Sequence, residues 1–366
     1  MDADVIVVGA GIVGAACAKA LADVGLRVLV LDDWRGGATA AGMGHLVAMD
    51  DNPAELALSL HSLALWRTLA PDLPRGCDYQ GSGTLWIAAD DVEMAEAERK
   101  QRRLADHGVA SGLLGRDALH AAEPALRAGL AGALRVPGDG VVYAPAAAEW
   151  LLLQGGTRIV VEHAGVTRLE GTRLQLSDGS WRGAARILLA NGIHATALCP
   201  ELALRPKKGH LLITDRHPGT VTHQLVELGY VTSAHHVEGD SVAFNVQPRP
   251  TGQLLVGSSR QFDTTDLRVE PAMLACMLRR ALDYLPGLGD LSAVRTWTGL
   301  RAATPDGLPL LGAHAGRPGV WLAVGHEGLG VTTAPASAQL IADQMTGRAP
   351  AIDPTPYQPR RLMEIA

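Results

Sequence analysis

Short apolar runs alternate with amphipathic stretches in the first part of the chain. The β-branched run VIVV at residues 5–8 predicts a buried strand, and AACAKALADVG at 15–25 predicts a helix that ends at Gly25. A second apolar run, RVLVLDD, begins at residue 27 and predicts a strand that stops at Asp32. Strand, helix and strand in this order predict an α/β unit with parallel strands.

Longer strands dominate the middle of the chain. The segments 157–170 and 181–192 are rich in strand-forming residues, and Asp178-Gly179 between them predicts a hairpin turn. Further along, the apolar runs lengthen, and Pro-Thr-Gly at 250–252 predicts a turn. These runs predict an antiparallel sheet, with strands at WIAA (86–89), HLLIT (210–214), SVAFNVQ (241–247) and QLLVGSS (253–259).

Two further helices are predicted between these regions. Asn52 is the expected N-cap of the first, with Pro53 at its first helical position and Glu55 as the capping-box partner. The charged stretch EMAEAERKQRRLADHG at 93–108 predicts a helix exposed to solvent. We assign no function to this second helix.

The glycines that follow the first strand indicate a dinucleotide site. Gly9, Gly11 and Gly14 form GxGxxG between the strand and the helix, and Asp32 ends the next strand. Gly9 permits the tight turn, Gly11 lets the backbone approach a pyrophosphate, and Gly14 lets helix and strand pack closely. The phosphates then meet the positive end of the helix, and the acid accepts a hydrogen bond from a ribose hydroxyl. The motif by itself suits either FAD or NAD.

Two later segments favour FAD. After Asp32 the chain enters GGATAAGMGHL (36–46), a loop of small residues that can lie against a large planar group. At 319–347 the pattern predicts a strand, a glycine-rich loop and a helix. Thr332 or Thr333 is its expected cap, and the expected first turn and end are at Pro335 and Gly347. The N-terminus of this helix offers a second anion site, suited to negative charge on a flavin.

Composition limits the alternatives. The 366 residues suggest about two domains, and 47% apolar with 19% charged residues is typical of a globular protein. A net charge of −6 gives no reason to expect nucleic acid as a partner. No run has the length of a membrane span, so we expect a cytoplasmic protein. The four cysteines are far apart and form no CxxC, which argues against a metal site.

Several motifs together resemble the D-amino acid oxidase-like (DAO) family of FAD-dependent oxidoreductases. They are GAGIVG at the start, AAGMGHL (40–46), ANG (190–192), GLRAATPDGLPLLG (299–312) and GHEGLG (325–330). The stretches 242–262 and 325–335 look most like the D-hydroxyproline dehydrogenase and hydrogen cyanide synthase-like branch. The resemblance implies an α/β fold in which a Rossmann-type FAD-binding domain (1–75, 137–205 and 300–366) is interleaved with an antiparallel-sheet substrate domain (76–136 and 206–299).

The resemblance also implies which residues bind FAD. Val166 would contact adenine through its backbone, and Ala190 and Gly192 would pass close to the cofactor. The full set expected to bind FAD is Gly9, Gly11, Ile12, Val13, Gly14, Asp32, Asp33, Thr39, Ala40, Ala41, Gly42, Met43, Gly44, Val166, Ala190, Gly192, Gly328, Leu329, Gly330, Val331 and Thr332.

Arg301 lies among small and apolar residues, in GLR before the turn TPDG. In the resemblance this arginine clamps the substrate carboxylate, because a planar guanidinium gives two parallel hydrogen bonds that fix the α-carbon hydrogen beside flavin N5. The product would be an imine, and no side chain need act as a base. The structural alternative is an internal ion pair between Arg301 and Asp306.

Two departures from glycine oxidase-like relatives bear on the substrate. Asn245 stands where they carry a tyrosine that touches the carboxylate, and Gly328 stands where they carry a basic residue. His45, His326 and Glu327 are the candidates to replace these contacts or to bind a substrate hydroxyl. The branch resemblance implies cis-4-hydroxy-D-proline or D-proline as substrate. A second hypothesis is a flavin-carrying electron-transfer or scaffold subunit, whose partner subunits would carry iron–sulfur centres or a second flavin.

Overall fold

The computed structural model describes residues 3–229 and 239–363. The helices are α1 (Ile12–Asp23), α2 (Ala38–Ala41), α3 (Pro53–Leu69), α4 (Asp91–Asp106), α5 (Arg116–Ala122), α6 (Ala144–Gln154), α7 (Ala195–Leu198), α8 (Pro271–Tyr284), α9 (Gly330–Thr346) and α10 (Arg360–Met363). The strands are β1 (Val5–Val8), β2 (Val28–Asp32), β3 (His45–Leu46), β4 (Thr84–Ala88), β5 (Gly112–Gly115), β6 (Gly132–Val136), β7 (Gly140–Val141), β8 (Ile159–His163), β9 (Val166–Glu170), β10 (Arg173–Leu176), β11 (Trp181–Gly183), β12 (Arg186–Leu189), β13 (Arg205–Arg216), β14 (Gln224–Glu227), β15 (Ser241–Pro248), β16 (Gln253–Phe262), β17 (Ala293–Ala303), β18 (Leu310–Ala313) and β19 (Val320–Val324).

A six-stranded sheet in the order β18-β19-β12-β1-β2-β8 contains the predicted α/β unit. The pairs β1–β2, β1–β12, β2–β8 and β12–β19 are parallel, and β18 joins β19 antiparallel. Both faces of its central strands are buried, which explains why VIVV is apolar at every position. The predicted Rossmann-type arrangement is therefore confirmed.

Different elements cover the two faces of this sheet. One face packs its side chains, Val5 and Val7 among them, against helices α1, α3, α6 and α9. The other face, which includes Ile6 and Val8, packs against α7 and a three-stranded sheet of β9, β10 and β11. The predicted turn at Asp178-Gly179 joins β10 to β11, with Gly179 at φ +86°.

A second sheet of eight strands has the order β17-β13-β16-β15-β14-β4-β6-β5. The predicted runs HLLIT, SVAFNVQ and QLLVGSS lie in β13, β15 and β16, which pair antiparallel. The prediction of a purely antiparallel sheet was wrong at one place, because β4 pairs β14 in parallel. The segment with Arg301 is part of β17, at the edge of this sheet.

The helix ends follow the predicted chemistry in one case and depart from it in another. The Asn52 side chain accepts from the Glu55 N–H at 2.9 Å, which confirms the cap of α3. Helix α9 begins at Gly330 with Leu329 as N-cap, so the predicted cap at Thr332 or Thr333 was wrong.

Pro335 lies inside helix α9 and not in its first turn. Proline has no N–H to donate to the carbonyl four residues earlier, which is that of Val331. The indole N–H of Trp66 donates to this carbonyl at 3.0 Å and satisfies it. Gly347 ends the helix at φ +70°, as predicted.

Helix α4 is more buried than its charged sequence predicts. Lys100 is 1% exposed, pairs with Asp50 and lies 4.5 Å from the centre of the Trp86 ring. The expectation of a solvated helix was therefore wrong for one face, because the ion pair and the aromatic ring replace water around the ammonium group.

The two-domain division remains a proposal. The eight-stranded sheet takes its strands from 84–136 and 205–303, close to the ranges proposed for a substrate domain. The proposed ranges also include 1–2, 230–238 and 364–366, which lie outside the described residues. Among the described residues, none of the helices combines the length and the apolar character that a membrane span requires.

Candidate functional site

The turn between β1 and α1 is shaped so that only glycine fits. Gly9 has φ +107°, and a Cβ there would lie 2.7 Å from the carbonyl oxygen of Ala190. A Cβ on Gly14 would lie 1.9 Å from the oxygen of Gly9. Gly11 is the N-cap and brings no side chain to the first N–H groups of α1. This helix start is therefore not capped from its own turn, an arrangement that suits an anion.

The acids after β2 lie beside this turn. Asp32 accepts from the backbone N–H groups of Ala10 and Trp34, both at 2.6 Å, which leaves half of the acceptor sites of its carboxylate. A Cβ on Gly165 would lie 3.5 Å from the Asp33 carboxylate, so the strand that begins at Val166 passes this end of β2.

The loop 36–46 is not wholly irregular, because it contains the short helix α2. The Thr39 hydroxyl accepts from the Ile12 N–H at 3.0 Å and ties the loop to the start of α1. Trp297 donates to the Ala41 carbonyl at 3.1 Å, which joins the loop to β17 of the large sheet. Met43 packs there against Leu211 and Leu255. The loop therefore lies between the two sheets.

The C-terminal glycine-rich loop (325–330) and the helix that follows it pack against the loop 36–46 and the start of α1. Thr332 donates to the backbone carbonyl of His45 at 2.8 Å, and Gly330 lies close to Val13 of α1. The first turn of α9 carries no acidic residue and no side-chain cap. The starts of α1 and α9, whose N-cap residues make no side-chain cap, are therefore neighbours in the fold. Ala190 and Gly192 follow β12 beside the first of them.

The Arg301 side chain lies over the large sheet and close to Gly328 of the C-terminal glycine-rich loop. Its Nη1 donates to the Ser259 carbonyl at 3.2 Å, and its guanidinium occupies the space above Gly209, where a Cβ would be 2.8 Å away. The proposed ion pair with Asp306 is absent, because Arg361 holds that carboxylate at 2.6 Å. Within residues 3–229 and 239–363, no carboxylate lies at ion-pair distance from Arg301.

An ion pair that the sequence did not predict lies next to Arg301. Lys207, which faces Arg301 across β13 and β17, bridges to Glu327 at 2.9 Å. Burial raises the pKa of Glu327, but neighbouring cations, Lys207 first among them, lower it to about 2. Glu327 has φ +49°, a strained conformation for a residue with a side chain. Its carboxylate is therefore fixed and ionised at neutral pH.

His45, near the end of the loop 36–46, meets Asn245 of β15. The Nε2 of His45 lies 3.0 Å from the Asn245 side-chain nitrogen, and its Nδ1 lies 2.6 Å from the side-chain oxygen of Gln224. Burial lowers the pKa of His45 to about 4, with a smaller effect of the charges of Arg249 and Arg301. Sequence reasoning missed Gln224, because nothing in QLVE distinguishes a functional glutamine from a buried structural one.

His326 is directed away from these groups. Its Nε2 lies 3.0 Å from the Ser337 hydroxyl within α9, and burial lowers its pKa to about 4. The structure therefore brings together Arg301, Glu327, His45 and Asn245 around the loop, whereas the ring of His326 packs against the helix.

The low pKa of His326 predicts a pH dependence of stability. Because the folded pKa is below the ordinary value near 6.5, the unfolded chain takes up the proton first as the pH falls. The free energy of unfolding should therefore decrease from about pH 6.5 to 4. Denaturant titrations of His326→Gln should show a smaller decrease over this window than the unchanged protein. Equal decreases in both proteins would contradict the buried neutral histidine.

One group of side chains has the composition of a metal site, but its hydrogen bonds oppose that role. Cys199, Glu201 and His314 offer ligand atoms within 4.8 Å of one another. The Nδ1 of His314 accepts from the Gly316 N–H, which leaves the proton on Nε2, the atom that faces Glu201. Glu201 is also paired with Arg317. The expectation that no metal binds stays a prediction, and this geometry is in line with it.

These features fit FAD in two places. The start of α1, where Gly11 brings no side chain and Thr39 accepts only from the Ile12 N–H, fits a pyrophosphate, and Asp32 keeps acceptor capacity for a ribose. The large sheet has glycines at 209, 257 and 299, and a Cβ at any of them would be within 3.0 Å of a neighbouring side chain. Larger residues there would push away the loop and Arg301.

Comparisons with known proteins agree with this fit. The model of the family described as FAD dependent oxidoreductase (DAO) matches residues 4–344. A glycine oxidase of Pseudomonas aeruginosa is 27% identical over 390 residues, which cover 98% of this chain and 99% of that protein. A D-amino acid dehydrogenase of Cereibacter sphaeroides is 30% identical over 301 residues, which cover 75% of this chain and 64% of that protein.

Solved structures show the same similarity. The crystal structure of glycine oxidase from Geobacillus kaustophilus matches with a TM-score of 0.87 and 27% identity, covering 98% of each chain. L-proline dehydrogenase from P. horikoshii matches with a TM-score of 0.89 and 21% identity, covering 99% of this chain and 98% of that one, which shows likeness of fold. The chain belongs to the DAO family of FAD-dependent oxidoreductases.

Proposed function

We propose that the chain oxidises an amino acid, with cis-4-hydroxy-D-proline or D-proline as its substrate and the cyclic imine as product. The observation that carries this proposal is the position of Arg301, a guanidinium that lies between the two predicted binding regions and has no carboxylate at ion-pair distance among the described residues. Arg301 is half-buried, and a guanidinium in this setting suits a ligand carboxylate. The related glycine oxidase and D-amino acid dehydrogenase are named for amino acid substrates.

The cofactor would be held from both ends. Gly9, Gly11, Gly14 and the N–H groups that follow would bind the pyrophosphate, and Asp32 the ribose. Val166 would lie near the adenine, while residues 39–44 and 328–332 would contact the flavin. When bound, FAD supplies the acceptor for a hydride from the substrate α-carbon.

The chain's own residues orient the substrate. Arg301 would hold the carboxylate through two parallel hydrogen bonds, which fixes the α-carbon hydrogen in one direction. The ion pair of Lys207 and Glu327 would lie on one side of the substrate, and His45 with Asn245 would lie on the other. Once the α-hydrogen has left as a hydride, the nitrogen-bound proton would pass to water and the amine would become the imine, so no side chain need act as a base.

The proposal is tested by the absorbance spectrum of the purified protein and by anaerobic addition of cis-4-hydroxy-D-proline. We expect flavin bands that bleach on addition. D-Proline, glycine and sarcosine, added in separate experiments, then rank the substrates, with the two cyclic amino acids first. A faster reaction with glycine or sarcosine would overturn the assignment of a cyclic substrate.

A different outcome would favour the second hypothesis. Flavin bands that stay oxidised with every amine, and that are reduced only after a partner protein is added, would indicate an electron-transfer subunit. The same anaerobic cuvette, opened to air after bleaching, shows whether oxygen reoxidises the flavin or whether a partner subunit with an iron–sulfur centre or second flavin is required.

A further inference from the structure

A directed series of hydrogen bonds leads from the large sheet to Asn245. Gln224 is fully buried in β14, and its side-chain nitrogen donates to the Gly140 carbonyl at 2.8 Å and to the Thr84 hydroxyl at 3.3 Å. These two acceptors fix which end of the amide is the nitrogen. The Gln224 oxygen therefore faces His45 Nδ1 at 2.6 Å.

The orientation of Gln224 sets the tautomer of His45. The Gln247 side-chain nitrogen lies 2.7 Å from Nδ1 and 3.2 Å from Nε2, and an atom this close to both ring nitrogens lies over the face of the ring, off the in-plane lone pair of either. The Gln224 oxygen therefore decides the tautomer: an amide oxygen can only accept, so the proton of the neutral imidazole lies on Nδ1 and Nε2 is an acceptor. The Asn245 nitrogen lies 3.0 Å from Nε2 and donates to it. The charged side chains that act on this ring are Arg249 and Arg301, both positive, and burial adds to their effect in keeping the ring neutral.

The tautomer in turn fixes the amide of Asn245. With its nitrogen turned to His45, its oxygen is buried and finds no hydrogen-bond donor in the described parts of the chain. An unsatisfied buried acceptor is unfavourable, and native proteins rarely keep one without a function or a ligand. This oxygen repels a carboxylate and accepts from an N–H or O–H group.

We propose that Gln224 is a positioning residue that acts through His45, and that the Asn245 oxygen selects substrates by accepting a hydrogen bond from their amine or hydroxyl group. This inference rests on the proposed function. The site would then recognise two features of the substrate at once. Arg301 binds its carboxylate, and Asn245 binds a donor on the remainder of the molecule.

The experiment compares two ligands of one shape. D-Proline carries a carboxylate and an N–H, whereas cyclopentanecarboxylate has the carboxylate on the same ring without any donor. For D-proline, which reduces the flavin, the dissociation constant is taken from how the rate of anaerobic flavin reduction depends on its concentration. For cyclopentanecarboxylate, which has no amine to oxidise, it is taken from the change in the flavin spectrum on binding. For Gln224→Met and for Asn245→Leu we expect the dissociation constant of D-proline to rise about tenfold, the effect of one hydrogen bond. That of cyclopentanecarboxylate should stay within about twofold.

The double variant and a control separate positioning from general damage. If Gln224 acts through Asn245, adding Gln224→Met to Asn245→Leu weakens D-proline binding no further. Gln253→Met, on the same sheet but bonded to Thr214, should bind both ligands as the unchanged protein does. Should Gln224→Met not fold, the ligand comparison on Asn245→Leu still decides whether the oxygen accepts from the substrate.

The outcomes distinguish this inference from the proposed function. If the unchanged protein is reduced by D-proline but the variants bind it equally well, the inference is wrong. Equal weakening of both ligands would also overturn it, because that result indicates loss of structure and not of an acceptor. Failure of every amine to reduce the unchanged protein would instead contradict the proposed function.

Discussion

Replacing Arg301 with lysine should lower kcat/KM for cis-4-hydroxy-D-proline about 100-fold. Lysine keeps the positive charge but loses the planar fork that makes two parallel hydrogen bonds to a carboxylate. Because the clamp also directs the α-carbon hydrogen, the rate of flavin reduction at saturating substrate should fall as well as the affinity. Stopped-flow reduction at several substrate concentrations measures both.

Arg295→Lys is the matched control for this change. Arg295 is on the same strand but exposed, and it stacks on Trp297 at 5.3 Å. We expect its kcat/KM to stay within about threefold, as for most surface substitutions. An Arg301→Lys protein that reacted as fast as this control would remove the carboxylate clamp from the account.

Gly14→Ala should yield a protein that is purified without FAD. The added Cβ would lie 1.9 Å from the oxygen of Gly9, so α1 must move away from β1. The helix start would then no longer meet the phosphates, and overpacking should cost about 2 kcal/mol of unfolding free energy. The flavin absorbance per protein and a denaturant titration of the apoprotein measure these two effects.

Gly287→Ala controls for the loss of a glycine as such. A Cβ at 287 would meet no atom within 4 Å, and this residue lies far along the chain from the GxGxxG motif. Its flavin content should equal that of the unchanged protein. Full flavin occupancy in Gly14→Ala would show that the turn is not the phosphate site.

Local sequence signals were sufficient for the parts of the fold that depend on neighbours in the chain. The run VIVV, the glycines that follow it and Asp32 predicted strand, turn and strand end, because each depends on backbone geometry within a few residues. The cap of α3 was likewise predicted. Helix α9 began earlier than predicted, because Trp66, distant in the chain, satisfies the carbonyl that Pro335 leaves without a donor.

The candidate site was predictable only in part. Arg301 stood out because an arginine is unusual among small residues. Arg301 does not pair with Asp306 because Arg361, sixty positions after Arg301 in the chain, holds that carboxylate. Lys207 meets Glu327 because β13 pairs with β17 and the C-terminal glycine-rich loop brings Glu327 beside them. Gln224, in the eight-stranded sheet, contacts His45, which lies in a different sheet. Long-range pairing of this kind leaves no periodic or local trace in a single sequence.

The central claim is that the protein oxidises an amine that it holds by the carboxylate. The most direct test compares cis-4-hydroxy-D-proline with 3-hydroxypyrrolidine, the same ring without the carboxylate, in anaerobic single-turnover reduction of the flavin. We predict rapid bleaching by the amino acid and almost none by the pyrrolidine at equal concentration. Equal bleaching by both compounds would contradict the account.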